Sequence, residues 1–102
     1  EDCLNLNIIR PSRATVNNNA DPLPVLFWIY GGGLHQGSSA DPMWNLSYIV
    51  QQSVKDEQPL IAVSINYRLS FLGYPGGREA LSAGVTNLGL KDQRLAVVIR
   101  PG

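Results

Sequence analysis

Three consecutive glycines, Gly31, Gly32 and Gly33, are the part of this sequence best suited to chemistry. They follow the apolar run "PVLFWIY" and precede the polar stretch "LHQGSS". A glycine weakens regular structure by roughly 0.5–1 kcal/mol relative to alanine, so a triplet marks backbone with unusual dihedrals or a close approach to another group. Taken alone, the triplet fits a tight turn, a cradle for phosphate, or main-chain N–H donors aimed at a developing negative charge. Other reactive side chains are sparse. The only histidine, His35, sits just past the glycines, where it either lines a pocket mouth or, as we read it, is a solvated loop residue. The only cysteine, Cys3, is a buried small hydrophobe, a reactive thiol or half of a disulfide, with the first reading leading. "ALSAG", Ala80 to Gly84, imitates a G-x-S-x-G nucleophile elbow around Ser82. An elbow needs an apolar strand before it and a helix after it, whereas "YPGGRE" and "VTNLG" flank this one. Ser82 is therefore set aside. Asn45-Leu46-Ser47 matches the N-glycosylation acceptor pattern, on a stretch predicted to be helical.

Composition narrows the function classes. The 102 residues are 44% hydrophobic and 16% charged with zero formal net charge, which places the chain in the ordinary globular class. Its eight basic residues are scattered singly, so the footprint of a nucleic-acid-binding surface is missing. No apolar run reaches the roughly 18–20 residues that span a bilayer, and no signal-peptide pattern occurs. No metal-ligand cluster or nucleotide motif appears, so no cofactor is implied. "EDCLNLNIIRP" enters a strand pattern at once and has no initiator methionine, so the protein is expected to extend upstream.

The elements that would hold the glycines can be read from patterning. Cys3 to Ile9 alternates Leu4, Leu6 and Ile8 with Asn5 and Asn7, a strand with one apolar face, ended by Arg10-Pro11. "SRATVNNNADPLP" is an exposed connection. Val25 to Tyr30 is a buried strand, bounded by Pro24 and Gly31. Asp41 as N-cap and Pro42 at the first position predict a helix from Pro42 to Ser53. Leu60 to Ile65 is a third strand, closed by Asn66-Tyr67-Arg68. Ser70 to Asn87 reads as Gly-rich loop, and a last helix from Leu88 stops near Arg100-Pro101. This order predicts an α/β fold with a mostly parallel sheet. Three strands leave a long sheet edge unpaired, as in part of a domain.

Four motifs in this order, "EDCLNLNI", "WIYGGG", "SINYRL" and "NLGLKDQRLA", resemble the N-terminal portion of the type-B carboxylesterase/lipase family. That α/β-hydrolase branch includes fungal lipases of the Candida rugosa kind and the cholinesterases. The resemblance runs from Glu1 to about Ala96. It implies that residues 1–102 are the N-terminal part of one catalytic domain, incomplete at both ends. Its implied substrate is a lipid or small ester. The family's oxyanion donors fall on Gly32 and Gly33, with Gly31 allowing the turn; Leu34 stands where an aromatic residue is more usual, so the pocket shape differs. Cys3 corresponds to a cysteine disulfide-bonded to an upstream partner, which overrides the buried reading and implies an oxidising, extracellular setting. Glu1, Asp2, Arg68 and Asp92 are expected in ion pairs and packing. The serine elbow, acid and histidine are absent from these residues, so the chain by itself is expected to be inactive. After "KDQRLA" the ending "VVIRPG" departs from the family pattern. Two other readings are a segment of a non-catalytic, cholinesterase-like adhesion protein and a free-standing binding module.

Overall fold

The computed structural model describes residues 3–13 and 22–98. Expectations for Glu1, Asp2, the Asn-rich connection and the stop near Arg100 fall outside them. Three strands form one sheet in the order β1-β3-β2: β1 is Leu6–Ile9, β2 Val25–Ile29 and β3 Ile61–Ile65. The two strands read from apolar runs, β2 and β3, pair in parallel from Val25↔Ile61 to Ile29↔Ile65. β2, expected to be buried, is instead a margin strand with Val25 and Ile29 exposed, because among the described residues only β3 has a neighbour on both sides. The alternating strand β1 joins β3 antiparallel, from Leu6↔Ile65 to Ile9↔Ala62. The sheet is thus mixed. Its central strand explains the continuous apolar run, because Ala62, Val63, Ser64 and Ile65 are buried between two neighbours.

The helices differ from the sequence pattern in informative ways. Asp41 does cap Pro42–Trp44, its Oδ1 accepting from the Met43 amide at 2.9 Å, but that segment is a single 3-10 turn. The expected helix over Pro42–Ser53 breaks because the Asn45 side chain takes the Ser47 N–H at 3.1 Å, a local bond that competes with the helical one. The α-helix proper, α1, runs Ser47–Lys55. Ser53 then links α1 to the sheet: its hydroxyl donates to Val50 O at 2.6 Å and accepts from Leu60 N–H at 3.2 Å, just ahead of β3. The expected Gly-rich loop over 70–87 contains two short helices, α2 (Ser70–Gly73) and α3 (Arg78–Ser82). Their residues are too few and too interrupted by glycine for a periodic signal. The final helix, α4, is Leu88–Val98.

β1 is also shorter than its alternation, which began at Cys3. Asn5 keeps the register with Asn66 but outside the assigned strand: its carbonyl accepts from the Asn66 N–H at 3.1 Å and its Oδ1 from the Asn66 side-chain amide at 3.2 Å. Beyond the sheet, the buried apolar set is small: Tyr30, Val50, Tyr67 and Ala80. No helix of the described residues is long and apolar enough to cross a membrane.

Candidate functional site

Parallel strands β2 and β3 end side by side, and the chain turns polar after both. In open α/β sheets the crevice beyond the carboxyl ends of parallel strands is where ligands sit. Here that place is occupied by the glycine loop after β2 and by Asn66-Tyr67-Arg68 after β3. Gly32 has φ +148° and Gly33 +63°, and Leu34 continues at +66°. A Cβ on Gly32 would fall on the Gln36 carbonyl, so only glycine fits there. The Gly32 carbonyl closes the turn by accepting from His35 N–H at 3.2 Å and Gln36 N–H at 3.3 Å. The amides of Gly32 and Gly33 have no acceptor among the described residues. Both glycines are exposed, so two unpaired N–H groups lie at the open end of the sheet.

Three contacts hold this loop against the end of β3. The Ser70 amide donates to Leu34 O at 2.7 Å, tying the loop to the start of α2. The Ser39 amide donates to Asn66 Oδ1 at 2.9 Å, tying its far side to the residue after β3. Between them, Tyr30 and Tyr67 stack at 4.8 Å with ring planes 24° apart. Each hydroxyl donates to the other's carbonyl, Tyr67 to Tyr30 O at 3.0 Å and Tyr30 to Tyr67 O at 3.3 Å. Burial pushes both phenol pKa values up, so the pair stays neutral across the physiological range. Both tyrosines lie in quoted motifs, "WIYGGG" and "SINYRL", but no periodicity marks them as a cross-strand pair.

Behind the loop, Arg68 and Asp92 form the ion pair expected of them. The guanidinium is bidentate, with Arg68 Nε to Oδ2 at 2.8 Å and Nη2 to Oδ1 at 2.7 Å, and the Arg68 main-chain N–H adds a third bond at 3.0 Å. The Arg68 side-chain bonds hold the Asp92 carboxyl below the usual aspartate range; its burial opposes this and the main-chain donor reinforces it. This pair joins the end of β3 to α4.

The other singled-out residues scatter. His35 is exposed in the turn after the glycines, and among the described residues its side chain has no hydrogen-bond partner that would orient it for base chemistry. Ser82 closes α3, and its hydroxyl donates to Arg78 O at 2.8 Å within its own helix, which is no elbow. Cys3 is exposed, which overturns the reading of a buried small hydrophobe. Asn45 is exposed between the 3-10 turn and α1. Gly31, with ordinary φ and open space around it, is the least constrained of the three glycines, although it was expected to allow the turn. Among the described residues no cluster of three or more His, Cys, Asp or Glu could hold a metal ion.

Comparison with known proteins places this arrangement. The model of the Carboxylesterase family matches residues 1–98. Secreted lipase 1 of Botryotinia fuckeliana (strain B05.10) is 45% identical over 97 residues, covering 95% of this chain and 16% of that protein. The inactive carboxylesterase-like protein VdtD of Byssochlamys spectabilis is 40% identical over a stretch of the same extent. A solved PNB esterase superposes with a TM-score of 0.75 at 32% identity, covering 94% of this chain and 18% of its own. The chain therefore spans about one sixth of the length of the curated relatives it matches. The three strands and their helices are a portion of the α/β-hydrolase fold, and the chain belongs to the carboxylesterase family.

Proposed function

We propose that this segment supplies the oxyanion-hole loop of a secreted serine carboxylic ester hydrolase, with Gly32 and Gly33 N–H as the donors. The reading rests on the two unpaired amides at the carboxyl end of β2. Ester hydrolysis moves negative charge onto the carbonyl oxygen as a serine adds to the carbonyl carbon. Donors fixed in advance stabilise that charge without reorganising during the reaction. The alcohol then leaves with a proton, and water releases the acid from the acyl-enzyme. The serine, its base and its acid are assigned to other parts of the protein, so residues 1–102 alone are expected not to turn over ester. Secretion is inferred from relatives named as secreted lipases and from Cys3 as half of a disulfide.

A non-catalytic role, as for the relative named inactive, needs no free donors here. Unpaired amides therefore favour the catalytic reading. The test replaces the Gly33 amide by an ester through α-hydroxy acid incorporation in the full-length protein, which exchanges N–H for O and leaves the carbon skeleton intact. Loss of one such donor lowers turnover by roughly 10²–10³-fold with KM nearly unchanged. Unchanged turnover removes Gly33 from the role.

A further inference from the structure

We propose that Asn45 is an N-glycosylation site, its carboxamide presented by an Asx turn in an exposed stretch between the 3-10 turn and α1. The proposal rests on the secretory reading above for its setting and on geometry for its place. The acceptor triplet Asn45-Leu46-Ser47 was expected inside a helix, where the backbone would restrict access to it. The structure removes that obstacle, because the chain leaves the 3-10 turn at Asn45 with extended backbone, φ −72° and ψ 98°. Asn45 Oδ1 accepts from the Ser47 N–H at 3.1 Å, so the side chain of the acceptor and the third residue of the triplet are already drawn together. That bond uses the carbonyl end of the carboxamide. Nδ2 has no partner among the described residues, and both Asn45 and Ser47 are exposed.

The surface around Asn45 is mixed: Gln51, Gln52, Lys55, Asp56, Glu57 and Gln58 are exposed, and so are Met43, Tyr48 and Ile49, so the assignment rests on the exposure of the triplet itself and on its Asx turn.

The donor is a polyisoprenyl-diphosphate-linked oligosaccharide. Asn45 Nδ2 bonds to its anomeric carbon, the bond from that carbon to the diphosphate oxygen breaks, and the diphosphate leaves with the electron pair. One amide proton passes to the transferase, and nothing is oxidised or reduced.

The full-length protein is translated behind a heterologous secretion leader with microsomes that hold the transferase, and an appended control acceptor triplet reports entry into the lumen. A glycan is expected on Asn45 as well as on the control. Asn45→Gln and Ser47→Ala each remove one, Ser47→Thr keeps it, and peptide N-glycosidase leaves aspartate at position 45. A glycan on the control with Asn45 bare in the same molecules overturns the proposal. If Asn45 is modified here while the natural full-length product stays unglycosylated in the cell interior, the site stands and the secretory reading fails.

Discussion

Gly32 and Gly31 are neighbours of the same type with opposite tolerance to substitution. Gly31→Ala meets nothing within 4 Å at an ordinary φ and is expected to leave ester hydrolysis by the full-length protein within about twofold. Gly32→Ala drives a Cβ onto the Gln36 carbonyl and takes alanine to φ +148°, so the turn must rearrange and its donors move. A loss of at least about 10²-fold in kcat is expected, comparable to removal of one donor. Proline cannot serve as the donor-deleting probe at Gly32 or Gly33, since its φ is fixed near −65°. At Asp92 the relevant variable is pH. Its carboxyl is held below the ordinary aspartate value of about 3.9, so the pair's stabilisation is present above that value and is lost as pH falls through the folded-state pKa. Asp92→Asn leaves Arg68 without its bidentate partner and is expected to destabilise by about 3 kcal/mol, the lower end for breaking a buried pair because Arg68 keeps some contact with water. Unfolding midpoints measured against pH check both statements: the variant loses the part of the acid sensitivity below pH 4 that the wild-type carboxylate contributes.

At the scale of elements, the tyrosine pair is what keeps the ends of β2 and β3 together beyond the last ladder bonds. Tyr67→Phe removes the 3.0 Å bond to Tyr30 O and keeps the stacked ring; Tyr30→Phe removes the longer 3.3 Å bond. Each is expected to lower stability by about 1 kcal/mol, Tyr67→Phe the more, read as a shift in the denaturation midpoint of the full-length protein. Ser53→Ala strands the Leu60 amide ahead of β3 and is expected to cost about 1–3 kcal/mol by the same measurement. How far these elements could be read in advance depended on length and neighbours. β2 and β3 were legible because apolar residues bounded by Pro24, Gly31 and polar Asn66 leave few alternatives. α1 was placed too early because a single Asn45 side-chain bond outweighs a favourable Asp-Pro start. α2 and α3 were invisible because four or five residues carry no helical period. The glycine triplet announced an unusual backbone, but the Ser70–Leu34 and Ser39–Asn66 bonds that aim it join residues 27 or more positions apart, beyond any local pattern.

On the scale of the whole molecule, the balance of buried and exposed apolar residues is the main fact. Phe71, Leu72, Leu95, Val97 and Val98 are all more than half exposed, while the buried core rests largely on β3. Apolar area of that kind is stabilising only when something covers it, at roughly 25 cal/mol per Å². Prepared alone, the 102-residue chain is expected to bind a hydrophobic dye and to associate, whereas the full-length protein does neither; dye fluorescence and sedimentation of the two distinguish them. The sheet edge foreseen from the strand count belongs to the same incompleteness, with β2 and β1 at the two margins. The central claim concerns what the free amides at one end of that sheet do, and it is tested most directly by the crystal structure of the full-length protein after reaction with an alkylphosphonate ester. The account predicts the phosphoryl oxygen within about 2.7–3.1 Å of the Gly32 and Gly33 nitrogens. A phosphorylated serine whose oxygen points to other donors, with both glycine amides in water, contradicts it.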